Sequence, residues 1–305
     1  MFKMIDLFAG IGGFHYAFKG KADCVFVSEF DKKAKETYLA NWGDDLEKNH
    51  AKFVGDITSV DIKTIPSFDI LCGGFPCQAF SSFGKREGFL NKTKGTLFFN
   101  IVEIAKYHKP KVIFLENVKG LLSHEKGATF KTILDTLENL GYHVHHKVLK
   151  SSEYGNVPQI RERIYIVAFS DKESYDKFKF PEKIKLTKTS KSILESTVEE
   201  KYFNAKHKLN KSILEKEYFY RYKFGKAERT KNKMIPTIVS NSYMIPSFID
   251  GEKLRRMTPR ECFRAQGYPD SFKFVVSDSA LYKQIGNSIT VTVVERIADE
   301  IIKVL

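Results

Sequence analysis

The stretch Gly74-Phe75-Pro76-Cys77-Gln78-Ala79-Phe80-Ser81 places a cysteine directly after a proline and just beyond an apolar run. A thiol held there can face a cleft, and its thiolate is a strong nucleophile. Cys24 and Cys72 lie inside apolar runs and read as inert core cysteines. A second candidate is Glu116-Asn117-Val118, at the end of another apolar run. A carboxyl group there can hydrogen-bond the ring nitrogen and exocyclic amine of a base while donating a proton. A third is Gln159-Ile160-Arg161-Glu162-Arg163. On one extended strand, Arg161 and Arg163 share a face and could hold a phosphate or position a base.

Phe8-Ala9-Gly10-Ile11-Gly12-Gly13-Phe14 follows a strand signal and opens a helix signal. Glycines in such a turn let a ligand approach the backbone. Glu29 ends the next strand signal, where a carboxylate suits ribose hydroxyls, and Asp56 ends the one after, where it suits an adenine amine. A glycine turn and two acids at successive strand ends point to an adenosine-containing cofactor.

The elements that must position these groups alternate. Strand signals fall at 4–8, 24–28, 53–56, 68–72, 112–115, 143–150 and 163–169, and helix signals at 13–18, 31–41, 97–107 and 129–140. This predicts a mostly parallel sheet with helices on both faces. Beyond residue 170 the pattern weakens into a stretch rich in Lys, Glu, Tyr and Phe, read as a small separate domain or long insertion. A proline-started helix follows Thr258, and residues 286–305 read as one terminal helix after a Gly-Asn-Ser turn.

The chain of 305 residues carries a net charge of +13 and 42% hydrophobic residues, enough for a sizeable core. Residues 171–258 hold 21 Lys and Arg against 12 Asp and Glu, so most of the excess is concentrated there. That concentration favours a polyanionic partner. Four cysteines without Cys-x-x-Cys spacing argue against zinc and suit a reducing compartment. No apolar run has the length of a membrane span, and the amino-terminal residues lack a signal-peptide core, so a soluble intracellular protein is expected.

Taken in order, these motifs identify a resemblance. The chain resembles the bacterial DNA (cytosine-5)-methyltransferases nearly end to end. The matching residues are Phe8 to Phe14, Glu29, Asp56, Gly74 to Ser81, Gly95-Thr96-Leu97, Glu116 to Val118, and Gln159 with Arg161 and Arg163. Further on they are Arg260-Glu261, Arg264, Gln266-Gly267-Tyr268-Pro269 and Gln284-Ile285-Gly286-Asn287-Ser288. The chain departs from many members at Lys94 and Phe83.

The resemblance implies an α/β fold: a Rossmann-like S-adenosylmethionine-dependent methyltransferase domain over 1–172 plus 275–305, and a smaller target-recognition domain over 173–274. It implies Cys77, Glu116, Arg161 and Arg163 as catalytic residues. It implies Phe8, Gly10, Ile11, Gly12, Glu29, Asp56, Ile57, Pro76, Asn287 and Ser288 around S-adenosyl-L-methionine. Ser81, Lys231, Lys233, Thr237 and Ser240 are the expected DNA contacts, with Asn241, Ser242 and Tyr243 as further candidates. The partner would be double-stranded DNA, with no metal and no membrane. The protein would be a cytoplasmic monomer of bacterial or phage origin, paired with a cognate restriction endonuclease. Alternatives are a tRNA cytosine-5-methyltransferase on the same fold, a non-catalytic DNA-binding relative, and a nicotinamide-dependent oxidoreductase. Gln78-Ala79-Phe80-Ser81 and the basic stretch favour DNA.

Overall fold

A computed structural model describes residues 1–75, 97–203, 218–223, 226–229, 233–241 and 244–305. The strands are β1 (Phe2–Leu7), β2 (Ala22–Ser28), β3 (Lys52–Val54), β4 (Ile70–Gly73), β5 (Val112–Val118), β6 (His143–Lys150), β7 (Gln159–Ile160), β8 (Glu162–Phe169), β9 (Tyr220–Lys223), β10 (Lys226–Arg229), β11 (Ile235–Pro236), β12 (Ser247–Asp250) and β13 (Lys253–Arg256). The helices are α1 (Gly13–Phe18), α2 (Lys32–Lys48), α3 (Leu97–His108), α4 (Ala128–Asn139), α5 (Ser151–Tyr154), α6 (Lys172–Lys177), α7 (Pro259–Ala265), α8 (Asp278–Asn287) and α9 (Val291–Val304). The chain divides into two compact units. The first is Met1–Leu149, Glu162–Pro181 and Glu295–Leu305; the second is Lys150–Arg161 and Glu182–Val294.

Among the described residues, the first unit holds a seven-stranded sheet in the order β3-β2-β1-β4-β5-β8-β6. The five strands from β3 to β5 are parallel, and β8 runs antiparallel to β5. This is the expected α/β architecture. The near-continuous apolar β1, β2, β4 and β5 suit strands covered on both faces. Ile5, Leu71, Phe98, Ile101, Ile113 and Ile133 meet in one core cluster. Across the sheet, Phe14 packs edge-on against Phe114 at 5.2 Å between ring centres.

The chain runs outward from β1 through β2 to β3, then returns to place β4 on the other side of β1. That reversal is a switch point, where open α/β sheets bind ligands at their carboxyl edge. The register aligns this edge. Val54, Ser28, Leu7, Gly73 and Leu115 form one row across the five parallel strands. The residues just beyond the row are Asp56, Glu29, Phe8, Gly74 and Glu116.

Three expectations are corrected. Helix α2 runs to Lys48 rather than ending near 41, because Tyr38, Trp42 and Leu46 continue a buried stripe past Gly43. The stretch 286–305 is not one helix: Gly286 and Asn287 close α8, and α9 begins at Val291. Arg161 and Arg163 do not share a strand, since Arg161 lies between β7 and β8. In the second unit, β10-β9-β12-β13 form an antiparallel sheet, β11 pairs with β7, and α7 starts at Pro259 behind a capping box from Thr258 and Glu261.

Candidate active site

The turn after β1 is built for close approach. Phe8, Gly10 and Gly12 all have positive φ, at 56°, 57° and 83°. A side chain on Gly12 would place its Cβ 2.3 Å from Trp42 Nε1, so the turn rests directly on α2. Trp42 Nε1 donates to the Ile11 carbonyl at 3.1 Å, fixing the turn from beneath. Among the described residues nothing lies within 4 Å of where a Gly10 Cβ would be, so they leave that side of the backbone open. Ile11 and Ile57 are buried.

Glu29 braces this turn. Its carboxylate accepts from the Gly10 amide at 2.7 Å and from the Asp31 amide at 2.7 Å. Next to it, Phe30 is 78% exposed, a large ring face beside the ribose-binding candidate. Sequence reasoning missed Phe30; its signal was an aromatic residue between two acids at a strand end. Asp56 accepts from the Thr58 amide at 2.9 Å and from its hydroxyl at 2.7 Å. Those hydrogen bonds lower its pKa below the ordinary carboxylate value.

Glu116 and Asn117 are the last buried residues of β5, before the exposed Val118. In the β5–β8 register, Glu116 faces Tyr165 and Val118 faces Arg163. Glu116 and Arg163 are therefore diagonal neighbours on one face, and Arg163 Nε lies 3.1 Å from Glu116 Oε1. Asn117 Nδ2 donates to the Phe75 carbonyl at 2.8 Å. That bond ties the end of β5 to the residue two places before Cys77. Pro76, Cys77, Phe83, Lys94, Gly95, Thr96 and Ser81 lie outside the described residues, as do Lys231, Ser242 and Tyr243.

The three described cysteines, Cys24, Cys72 and Cys262, are buried. Burial pushes each thiol upward in pKa, well away from a reactive thiolate. Among the described residues no cluster of His, Cys, Asp or Glu could hold a metal, and no helix is long and apolar enough to cross a membrane.

The second unit holds the remaining candidates. Arg161 is buried and donates from Nη1 to the Ile238 carbonyl at 2.9 Å and from Nη2 to the Ser288 carbonyl. The Thr237 hydroxyl donates to the Ile160 carbonyl. Ser240 and Lys233 are exposed, and the Lys233 carbonyl accepts from Ser190 Oγ at 2.7 Å. Asn287 is exposed, and Ser288 Oγ lies 2.7 Å from the Tyr268 hydroxyl.

The family model for C-5 cytosine-specific DNA methylase matches residues 2–303. The chain belongs to this family. It is therefore a DNA (cytosine-5)-methyltransferase. The Type II methyltransferase M.Bsp6I of Bacillus sp. (strain RFL6) is 37% identical over 318 residues, covering 99% of each chain. The Type II methyltransferase M1.ScrFI of Lactococcus lactis subsp. cremoris is 44% identical over 318 residues, covering 100% of this chain and 79% of the relative. A crystal structure of a Spodoptera frugiperda DNMT2 variant superposes with a TM-score of 0.74 at 19% identity, covering 99% of both chains, and shows the shared fold. Membership in the methylase family favours DNA over the RNA-directed and non-catalytic alternatives.

Proposed function

We propose that this methyltransferase modifies carbon 5 of one cytosine within a short duplex DNA sequence, with Cys77 as covalent nucleophile and S-adenosylmethionine as methyl donor. The observation that carries the reading is the Glu116–Arg163 pair beside the strand exit that Asn117 ties down, two residues short of Cys77. The buried, high-pKa thiols of the other three cysteines leave Cys77 as the candidate nucleophile.

Carbon 5 of cytosine is too weakly nucleophilic to be methylated directly. Addition of the Cys77 thiolate to carbon 6 breaks the ring conjugation and pushes electron density onto carbon 5. Glu116 holds ring nitrogen 3 and shares a proton with it, while Arg163 keeps the carboxyl group in place. Bound S-adenosylmethionine supplies an electrophilic methyl group. Removal of the carbon 5 proton and expulsion of the Cys77 sulfur then restore an aromatic, methylated base. A stacked base cannot reach these groups, so the target must be flipped out, at a cost of about a few kcal/mol.

The residues present fit an adenosine cofactor. The open face at Gly10, the Glu29 carboxylate and the exposed Phe30 ring offer backbone approach, ribose acceptors and a planar contact. Phe8, Ile11, Gly12, Asp56, Ile57, Pro76, Asn287 and Ser288 complete the proposed cofactor set.

The functional division we propose is drawn by motif: 1–172 with 275–305 for catalysis and cofactor, 173–274 for target recognition. Ser81, Lys231, Lys233, Thr237 and Ser240 are the proposed DNA contacts. The protein is proposed to act as a cytoplasmic monomer in a bacterial or phage setting, alongside a cognate endonuclease, as the Type II names of its relatives suggest.

The test is a mechanism-based trap. Fluorine at carbon 5 cannot leave as a proton, so duplex DNA with 5-fluorocytosine at the target should remain attached to the protein. The complex should survive denaturing electrophoresis, require S-adenosylmethionine and map to the peptide Pro76-Cys77-Gln78. Cys77→Ser should abolish it. An adduct mapping to Cys72 or Cys262, or one persisting in Cys77→Ser, would reject Cys77. Methyl transfer to tRNA but not to duplex DNA would reject the substrate.

A further inference from the structure

Residues 237–239 belong to no strand or helix, although Ile238 is fully buried. A buried backbone must still satisfy its amide and carbonyl. Here two side chains do so. Gln159 Oε1 accepts from the Ile238 amide at 3.1 Å, and Arg161 Nη1 donates to the Ile238 carbonyl at 2.9 Å. Gln159 Nε2 donates in turn to the Ala265 carbonyl at 2.8 Å, and Arg161 Nη2 to the Ser288 carbonyl. Both side chains are therefore anchored at their far ends, on the termini of α7 and α8.

The segment is held at both ends as well. Upstream, β11 pairs with β7, with Ile235 opposite Gln159 and Pro236 opposite Ile160, and Thr237 Oγ1 donates to the Ile160 carbonyl. Downstream, the backbone of Val239 and Ser240 presses onto Gly286. A Cβ at Gly286 would sit 2.2 Å from the Val239 carbonyl carbon and 2.2 Å from the Ser240 nitrogen. No side chain fits there without moving that backbone. Immediately after this contact the chain emerges at Ser240 and Asn241, both exposed.

We infer that Gln159, Arg161 and Gly286 form a seat that fixes where the segment 237–241 emerges, and that this seat sets the stringency of target-sequence selection. All three are positioning residues: they act through the backbone of Ile238–Ser240. The physical reason is geometric. Base discrimination depends on hydrogen bonds aligned with groove edges, so a misplaced reader loses its preference for the correct base. A reader segment free to shift makes partial contacts with correct and incorrect bases alike. The inference rests on the proposal that 173–274 selects the target.

The test uses the full chain with Gln159→Met and, separately, Gly286→Ala. Gln159→Met keeps the side-chain length and removes both hydrogen bonds; Gly286→Ala pushes the Val239–Ser240 backbone outward. The target is first defined by bisulfite sequencing of DNA methylated by the wild-type enzyme. Then kcat/KM is measured on duplexes with the target and with each single-base change. Methylation at near-target duplexes relative to the target should rise roughly tenfold or more in either variant, in line with a drop of about 1.4 kcal/mol in discrimination. S-adenosylmethionine affinity should stay within about twofold by the same scale. Should Gly286→Ala fail to fold, Gln159→Met carries the comparison, because it adds no volume. Equal loss on all duplexes, or unchanged discrimination in a folded Gln159→Met protein, would overturn the seat. A wild-type enzyme that methylates no duplex would instead overturn the proposed function.

Discussion

His15 shows how a single side chain beneath the cofactor turn ties stability to pH. Its ring stacks on Trp42 at 4.7 Å, and Nδ1 lies 2.7 Å from the Tyr38 hydroxyl. Burial lowers its pKa from 6.5 to about 4, although Asp45, 3.8 Å from Nε2, pulls the other way. The unfolded chain takes up this proton near the ordinary value, and the folded protein only near the lowered one. Between those two values the unfolded state binds more protons, so stability is complete above about pH 6.5 and is lost as pH falls toward about 4. The expected loss from this group is on the order of 3 kcal/mol. Asp6 works with the opposite sign, since burial raises its pKa and favours the folded protein at lower pH. Comparing His15→Phe with wild type isolates the histidine. Urea unfolding at pH 7 and pH 4.5 should show a smaller acid loss in the variant. An identical loss in both proteins would mean that His15 is already protonated in the fold.

At the level of elements, the first unit was legible because its parallel strands are apolar runs that end at chemically marked residues. Each strand end that matters carries a glycine turn, an acid or a Gly-Phe-Pro-Cys run, and the register places those ends in one row. In the second unit the helix from Pro259 was legible, but the strands were not. Strands such as Lys253–Arg256 are short and charged, and their burial depends on pairing that no local pattern announces. The destination of Arg161 was hidden for a related reason: its partners Ile238 and Ser288 lie 77 and 127 residues away in sequence. The motif showed which residue type was present but not what it touches. Arg255 on β13 is a second such case. It is fully buried and grips the fully buried Glu261 of α7 through two hydrogen bonds of 2.8 Å. Glu261 also closes the capping box by accepting from the Thr258 amide at 2.9 Å. Arg255→Met would strand that carboxylate in the interior, and a loss of about 3–5 kcal/mol is expected. Adding Glu261→Gln removes the stranded charge and keeps an acceptor for Thr258. The double variant should therefore be more stable than Arg255→Met alone in urea unfolding. A double variant that is equally or less stable would mean that the pair contributes packing rather than charge compensation.

For the whole molecule, the distribution of charge decides how DNA affinity should respond to salt. The chain carries +13, and residues 171–258 hold 21 basic against 12 acidic side chains. Part of that excess is neutralised internally. Lys183 pairs with Glu153 at 2.7 Å and Lys201 with Asp278 at 3.2 Å, both acids lying outside the stretch. These exposed pairs contribute little to stability, and salt screens them readily. The cluster Lys206, Lys208 and Lys211 has no acidic residue between its members. If it faces the phosphate backbone, each lysine that meets a phosphate releases about one counterion from duplex DNA. Replacing all three with glutamine should lower the slope of log affinity against log salt by roughly 0.9 for each phosphate that is no longer neutralised. The same three-lysine replacement at the exposed Lys32, Lys48 and Lys63 of the first unit should leave the slope unchanged. Equal slopes in all three proteins, measured by titration on one duplex across a salt series, would show that the basic stretch is a solvated face. An equal drop in both variants would show that net charge matters and its placement does not.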